Sequence, residues 1–550
     1  MRKELSKHIS QIILPSVVFS ALVGAITGVV VFAFRVISEH VIELSEHIFH
    51  FTGDHLWATP LVVLGAVALA LVVSLFLVYD PHSRGGGIPT AVALMRGLIT
   101  FHWLRNLIFV FASALMSYLC GIPLGNDEGP AVQMGTAVGS GITRLTGKKH
   151  FAWERYLMTS GATAGFATAT CAPISAVLFA MEEAHRRISP LLIMSSVSGV
   201  LSGMASLHLM SRLTGRPELM SLFHLPTIPT MLLRNVWIAV IIGIVCGAFA
   251  YLFALLTVKA RSVMHKKLHH VHPFFKIAPI FAVVALIGCF FYEYHAIGTG
   301  HHFIQALLGE HREVWYIALA LLAVRAVLVI LSNDVGITGG LFTPILVMGA
   351  LLGSLVGEVL IAMNLMSLEY LPLLVIIGMT AFLSAAARIP VTAAAFSLEA
   401  FGSQSHFLFI LTAVLISYVM AEVMGVPSIN EIAMEREVHR QHHGKTRQTF
   451  DVWLEAKPGA FAIGKAPRDI LWPAFCHVLS VRKGGEEQDS YEEGVVQVGD
   501  VLRVNFTTYE PEITERELCA ILGEQDVYGN ASVIHSDPRG PRLTESTMKE

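Results

Sequence analysis

The sequence predicts an all-α polytopic membrane body followed by a small α+β domain. Three observations carry this expectation. Hydrophobic residues make up 54% of the 550 residues and charged residues only 14%, against roughly 25% charged in soluble domains. Apolar stretches recur along most of the chain, several of them reaching the ~20 residues that a helix needs to cross a bilayer. Charge gathers at the end: about 27% of the residues after position 441 are charged and about 11% before it, so only the end resembles a soluble domain. The domains expected are a membrane body over 1–440, a linker over 441–448, a soluble unit over 449–525 and a polar tail over 526–550.

The N-terminal MRKELSKHIS is basic and leads into an apolar stretch far longer than a signal-peptide core. It reads as a retained first helix. Apolar stretches then follow at 12–35, 60–79, 104–121, 130–143, 156–181, 190–210, 229–257, 275–292, 314–332, 341–364, 370–385, 389–401 and 406–425. Some are too short to span. Helix breakers fall between them at SRGGGIPT (83–90), GIPLGNDEGP (121–130), DVGITGGLFTP (334–344) and GVP (425–427). Non-helical backbone at membrane depth survives only where protein or a watery cavity satisfies it. Broken helices around a central site are a transporter pattern.

The two richest interruptions are GNDEGPAVQMG (125–135) and GGLFTPILVMG (339–349). Both read as helix starts with Pro in the first turn, one in each half of the chain. Matching breaks in two halves suggest an inverted repeat with the site between them. A helix start presents free N–H groups and a partial positive charge. Two such starts that converge would bind an anion without a Lys or Arg, so the residues point to an anion pathway.

These residues resemble the CLC family of chloride channels and chloride/proton antiporters. The family motifs GSGIP, G(K/R)EGP and GxFxP stand here as GGGIP (85–89), GNDEGP (125–130) and GLFTP (340–344). FATATCAPISAVLFAMEE (166–183) is similar to the family helix that ends in two glutamates, and GMTAFLSAAARIPVTAAAFSLEA (378–400) to later membrane helices. The match runs in order over about 10–435. The resemblance implies that Glu128 is the gating glutamate, competing with the anion and carrying a proton. It implies that Glu183 is the inner proton glutamate, which favours an antiporter over a passive channel. It assigns the anion to backbone N–H groups of Gly87, Ile88, Leu341 and Phe342, with Gly86 at the serine position of the anion site and Ile429 at the inner-gate position. An ionisable residue in a membrane pathway is in any case a functional candidate.

Three departures stand out. Gly86 replaces the family serine, and Ile429 replaces the tyrosine of the inner gate, so both side-chain hydroxyls are gone. GNDEGP carries one residue more than the family motif, and Asp127 takes the place of the basic residue. Asp127 therefore adds negative charge beside Glu128 and is expected to modulate its protonation. A site of amides alone should discriminate less among anions, which leaves fluoride and nitrate open beside chloride.

Residues 449–524 alternate as strands and end in a helical TERELCAIL. GAFAIGKAPRDI reads as a hairpin. The order resembles the TrkA C-terminal (RCK-C) domain of potassium-transport regulators, which implies a regulatory domain for an unidentified small ligand. GAFAIGKA (459–466) nearly matches a phosphate-binding loop, but Ala466 replaces the hydroxyl that would hold Mg²⁺. HExxH and GxSxG are absent, so no enzyme is expected. No cofactor or metal is expected. The six cysteines (Cys120, Cys171, Cys246, Cys289, Cys476, Cys519) include no CxxC pair. Histidines at 265–272, 301–302 and 439–443 read as solvated or membrane-edge residues. The net charge of −3 gives no footprint for nucleic acid. The partners expected are chloride or a related anion, protons, the lipid bilayer and a second copy as a homodimer. Both termini are expected in the cytoplasm, as the basic N-terminus and RLTGKKH (144–150) fit the positive-inside rule, and the compact form and tail type suggest a bacterial plasma membrane.

Overall fold

The computed structural model describes residues 14–537 apart from 148–151, 224–227, 269, 292–294, 310–313, 426, 484–485, 490–493 and 529–531. The first half of the membrane body runs α1 (Leu14–Asp54), α2 (Thr59–Tyr79), α3 (Ile88–Met95), α4 (Trp103–Leu119), α5 (Glu128–Thr146), α6 (Glu154–Thr170), α7 (Pro173–Phe179) and α8 (Pro190–Thr214). The second half runs α9 (Val236–Leu268), α10 (Pro273–Phe291), α11 (His301–Leu308), α12 (Trp315–Val335), α13 (Phe342–Ala362), α14 (Leu371–Ala387), α15 (Pro390–Phe401), α16 (Phe407–Val423) and α17 (Ile429–Gln441). Among the described residues, nine helical stretches are long and apolar enough to cross a membrane.

The two halves repeat one design. In each, a broken helix packs on the next through glycines at backbone contact. A Cβ on Gly135 of α5 would lie 2.0 Å from the Gly161 carbonyl oxygen of α6, and one on Gly349 of α13 would lie 2.5 Å from that of Gly378 in α14. Small residues let membrane helices approach this closely. Each second helix then ends in a left-handed residue, Cys171 (φ 56) and Arg388 (φ 62), two positions before a proline. Proline disfavours α geometry in the residue before it, so 156–181, one apolar stretch in the sequence, divides into α6 and α7. The helices that follow, PISAVLFAME (173–182) and PVTAAAFSLE (390–399), clasp each other. Glu399 accepts from the N–H groups of Ile174 (2.7 Å) and Ser175 (2.8 Å) and from the Ser175 hydroxyl (2.6 Å). Glu182 returns the arrangement on Val391 (2.9 Å), Thr392 (2.7 Å) and the Thr392 hydroxyl (2.6 Å). Each carboxylate sits on a helix start, where exposed N–H groups and the dipole favour negative charge.

The C-terminal unit is an antiparallel sheet of β1 (Arg447–Glu455), β2 (Cys476–Lys483), β3 (Glu486–Asp489), β4 (Val501–Thr508) and β5 (Ser532–Asp537), ordered β3-β2-β4-β1-β5. Phe450, Val452 and Leu454 face Phe506, Val504 and Leu502 across β1 and β4. With Leu518, Ile521 and Leu522 of α18 (Pro511–Leu522) they form the core of the unit. Two expectations change here. Residues 459–470 form no hairpin: they are a loop with a single-turn 3-10 helix at Pro467–Asp469 and one isolated β-bridge, from Ile463 to Val496. Residues 532–537, expected in the polar tail, pair with β1. The alternating SVIHSD is too short to read as a strand until β1 offers it a free edge.

Candidate functional site

The three motif loops meet. Gly125 donates its N–H to the Gly340 carbonyl at 2.6 Å, so the breaks of the two halves are joined strand-like at their starts. The loop before α3 is equally close, since a Cβ on Gly87 would lie 2.2 Å from the Gly129 carbonyl oxygen. Only glycine fits there. Gly87 (φ 75, ψ −66) forms a classic γ-turn. The turn corrects one expectation: the Ile88 N–H is not free for an anion but donates to the Gly86 carbonyl at 2.8 Å. The N–H groups of Gly87, Leu341 and Phe342 donate to no backbone carbonyl outside their helices among the described residues. Gly86 itself has no positive φ, yet a Cβ there would meet the Leu341 side chain at 3.0 Å. Leu341 fills the space where the family serine would stand.

Glu128 opens α5 and is buried. Its two carboxylate oxygens accept from the Thr343 hydroxyl of α13, at 2.9 and 2.8 Å. The sequence reading missed Thr343, although it occupies the second variable position of GxFxP. Asp127 is not an isolated negative charge. Arg35 of α1 lies 4.0 Å away and is anchored on the carbonyls of Thr168 (2.8 Å) and Leu219 (2.9 Å). A basic side chain thus reaches the motif from another helix. The extra residue, Asn126, is held by its carbonyl, which accepts from Tyr118 at 2.8 Å. Asn126, Asp127 and Arg35 line a cavity of about 300 Å³ that also meets Glu39, Glu218 and His301.

Glu183 lies elsewhere. It sits in a π-helical turn, Ala180–Ala184, that closes α7. Such turns are frequent at functional sites. The carboxylate is buried and accepts from the Asn430 side chain of α17. Arg96 fixes the turn by donating to the carbonyls of Glu183 and Ala184, both at 2.7 Å. A cavity of about 20 Å³ opens beside Glu183, Arg96, Arg186 and Asn430, room for about one water molecule. Glu182, its neighbour in sequence, is committed to the helix clasp, so the two glutamates have separate duties. Asn430 and Arg96 were also missed, being separated in sequence from Glu183 and from each other. Ile429 is the buried first residue of α17, and Ser428 before it caps the helix by accepting from Glu431 N–H at 3.1 Å.

Aromatic rings connect the start of α13 to α7. Phe342 meets Phe166 edge-on at 5.3 Å and Phe396 at 5.2 Å, and Phe166 stacks on Phe179 of α7 at 5.3 Å. These rings offer no side-chain hydrogen-bonding atom.

A buried carboxylate where two helix starts meet, inside a bundle of bilayer-length helices, defines a membrane transport protein. A family model described as voltage gated chloride channel matches residues 65–422, and the chain belongs to that family. Two relatives are named H(+)/Cl(-) exchange transporter ClcA. That of Klebsiella pneumoniae is 25% identical over 77% of this chain and 89% of its own. That of Vibrio campbellii is 27% identical over 74% and 87%. Among solved structures, a slow cyanobacterial Cl−/H+ antiporter superposes with TM-score 0.68 at 21% identity, over 78% of this chain and 99% of its own. A CLC-type fluoride/proton antiporter gives 0.60 at 21%, over 74% and 96%. At that identity the likeness establishes the fold.

Proposed function

We propose that the protein exchanges chloride for protons across a bacterial plasma membrane. The observation that carries this reading is the seat of Glu128 at the meeting of the motif loops, under the Thr343 hydroxyl. A carboxylate there occupies the position an anion would take, and its protonation removes the competition. Glu183, in its own pocket beside Asn430, supplies the second proton station. The exchange relatives support the coupling. Gly86 and Ile429 bring no hydroxyl to the pathway, which favours loose coupling and, as a second reading, a passive channel. A homodimer with both termini in the cytoplasm and a ligand-responsive C-terminal domain completes the reading.

The test is flux in liposomes, with anion and proton recorded together for chloride, nitrate and fluoride. Wild type is expected to move protons uphill along a chloride gradient. Glu183→Gln is expected to lose proton movement and keep chloride flux, and Glu128→Gln to lose proton movement together with the pH dependence of flux. Chloride flux with no proton movement in wild type makes the protein a channel. Fluoride flux far above chloride reassigns the anion.

A further inference from the structure

A cavity of about 590 Å³ lies between the membrane body and the β-sheet domain, lined by neither Glu128 nor Glu183. That volume suits a small-molecule ligand, for which ~300–1,000 Å³ is usual. Its walls come from both units: Arg105 of α4, Arg144 of α5, and Glu154 and Arg155 of α6 on one side, Arg516 and Glu517 of α18 on the other. Four guanidinium groups thus face two carboxylates.

Both carboxylates are already engaged. Glu154 accepts from Ser140 at 2.7 Å and pairs with Arg144 at 3.5 Å. Glu517 pairs with Arg155 at 2.6 Å. Arg105 lies 3.7 Å from Asp80, behind the wall. Arg516 has no carboxylate partner among the described residues. The cavity therefore carries excess positive charge, presented by planar forks that match phosphate oxygens.

We propose that this cavity binds a phosphate-bearing anion and that the occupant ties the C-terminal domain to the membrane body. The charge pattern suits phosphate chemistry, which a soluble phosphorylated compound or an anionic lipid headgroup could bring. Two sides of the ligand would be held by different units, Arg144 from one and Arg516 from the other. The site is separate from Glu128 and Glu183, and its reading stands whether the pathway proves to be an exchanger or a channel. A route for influence exists, since α6 carries both Arg155 at the cavity and Phe166 against Phe342.

The experiment uses the full chain. Sodium triphosphate is titrated into detergent-purified protein by calorimetry and thermal unfolding. In parallel, the protein is placed in phosphatidylcholine membranes with and without phosphatidylglycerol. A soluble ligand is expected to reveal itself as triphosphate binding that weakens at least about tenfold in Arg144→Gln/Arg516→Gln and is largely kept in Arg516→Lys. A lipid ligand is expected to reveal itself as phosphatidylglycerol-dependent stabilisation lost in the same double variant. The double variant must run as a folded particle on size exclusion, and Arg516→Gln alone, on an exposed helix face, gives the same comparison if it does not. No response to either probe overturns the proposal. So does equal binding by the variants, or an equal loss in Arg482→Gln, which lies outside the cavity and would report diffuse charge.

Discussion

Thr343 and Glu128 are the pair on which the proposed exchange turns. A hydrogen bond to a charged group contributes about 1.5–3 kcal/mol, so in the proposed mechanism the hydroxyl holds the carboxylate in its seat. Thr343→Val keeps the shape and removes the donor. Chloride flux in liposomes is expected to rise about tenfold as Glu128 leaves its seat more readily. Flux at the wild-type rate would show that the hydroxyl does not hold the gate. Asp127 belongs to the same scale. Its substitution for a basic residue looks severe in the sequence, yet Arg35 stands 4.0 Å away, so the motif keeps a cation beside it by a different route.

At the scale of elements, the reciprocal clasp between α7 and α15 separates Glu182 from Glu183. Each clasp carboxylate satisfies two helix-start N–H groups and a hydroxyl. Losing such a cap costs about 1–2 kcal/mol. Glu182→Gln and Glu399→Gln are therefore expected to lower the thermal unfolding temperature in detergent by similar amounts, because their contacts are mirrored. Both are expected to retain proton coupling. Loss of coupling in Glu182→Gln, with stability intact, would move the proton role to Glu182. The glycine contacts set the spacing of the same elements. At 2.0 Å from a carbonyl oxygen, a side chain at Gly135 has nowhere to go.

At the scale of the whole molecule, the C-terminal domain is docked on the start of α6. Tyr156 bridges the Asp469 carbonyl (2.8 Å) and the Leu471 N–H (2.9 Å). Arg155 holds the Trp472 carbonyl, and Trp153 meets Phe461 edge-on at 5.0 Å. Lys465 lies in this seam, its Nζ 3.6 Å from the Phe461 ring centroid. Burial pushes its ammonium down to about 8. The unfolded chain keeps that proton up to about 10.4, so between these values it binds more protons than the folded chain, and stability rises with pH. The unfolding temperature of wild type relative to Lys465→Met is expected to be flat below about pH 8 and to climb between about pH 8 and 10. A difference that stays constant over that range would place Lys465 in water.

Composition and pattern by themselves determined the class: the apolar stretches had to be membrane helices, and the charge shift had to mark a second unit, because hydrophobic burial and solvation leave no other arrangement. The motifs at 85–89, 125–130 and 340–344 also marked the pathway, since Gly and Pro at membrane depth need a structural reason. What only the tertiary structure decided is how those loops meet. Thr343 on Glu128, Arg35 on Asp127, Asn430 on Glu183 and Leu341 against Gly86 all join residues far apart in the chain, and no local periodicity encodes such pairs. The γ-turn that consumes the Ile88 N–H was hidden for a related reason: glycine permits positive φ without announcing it. β5 escaped notice because a short edge strand acquires its hydrogen bonds only from the strand beside it.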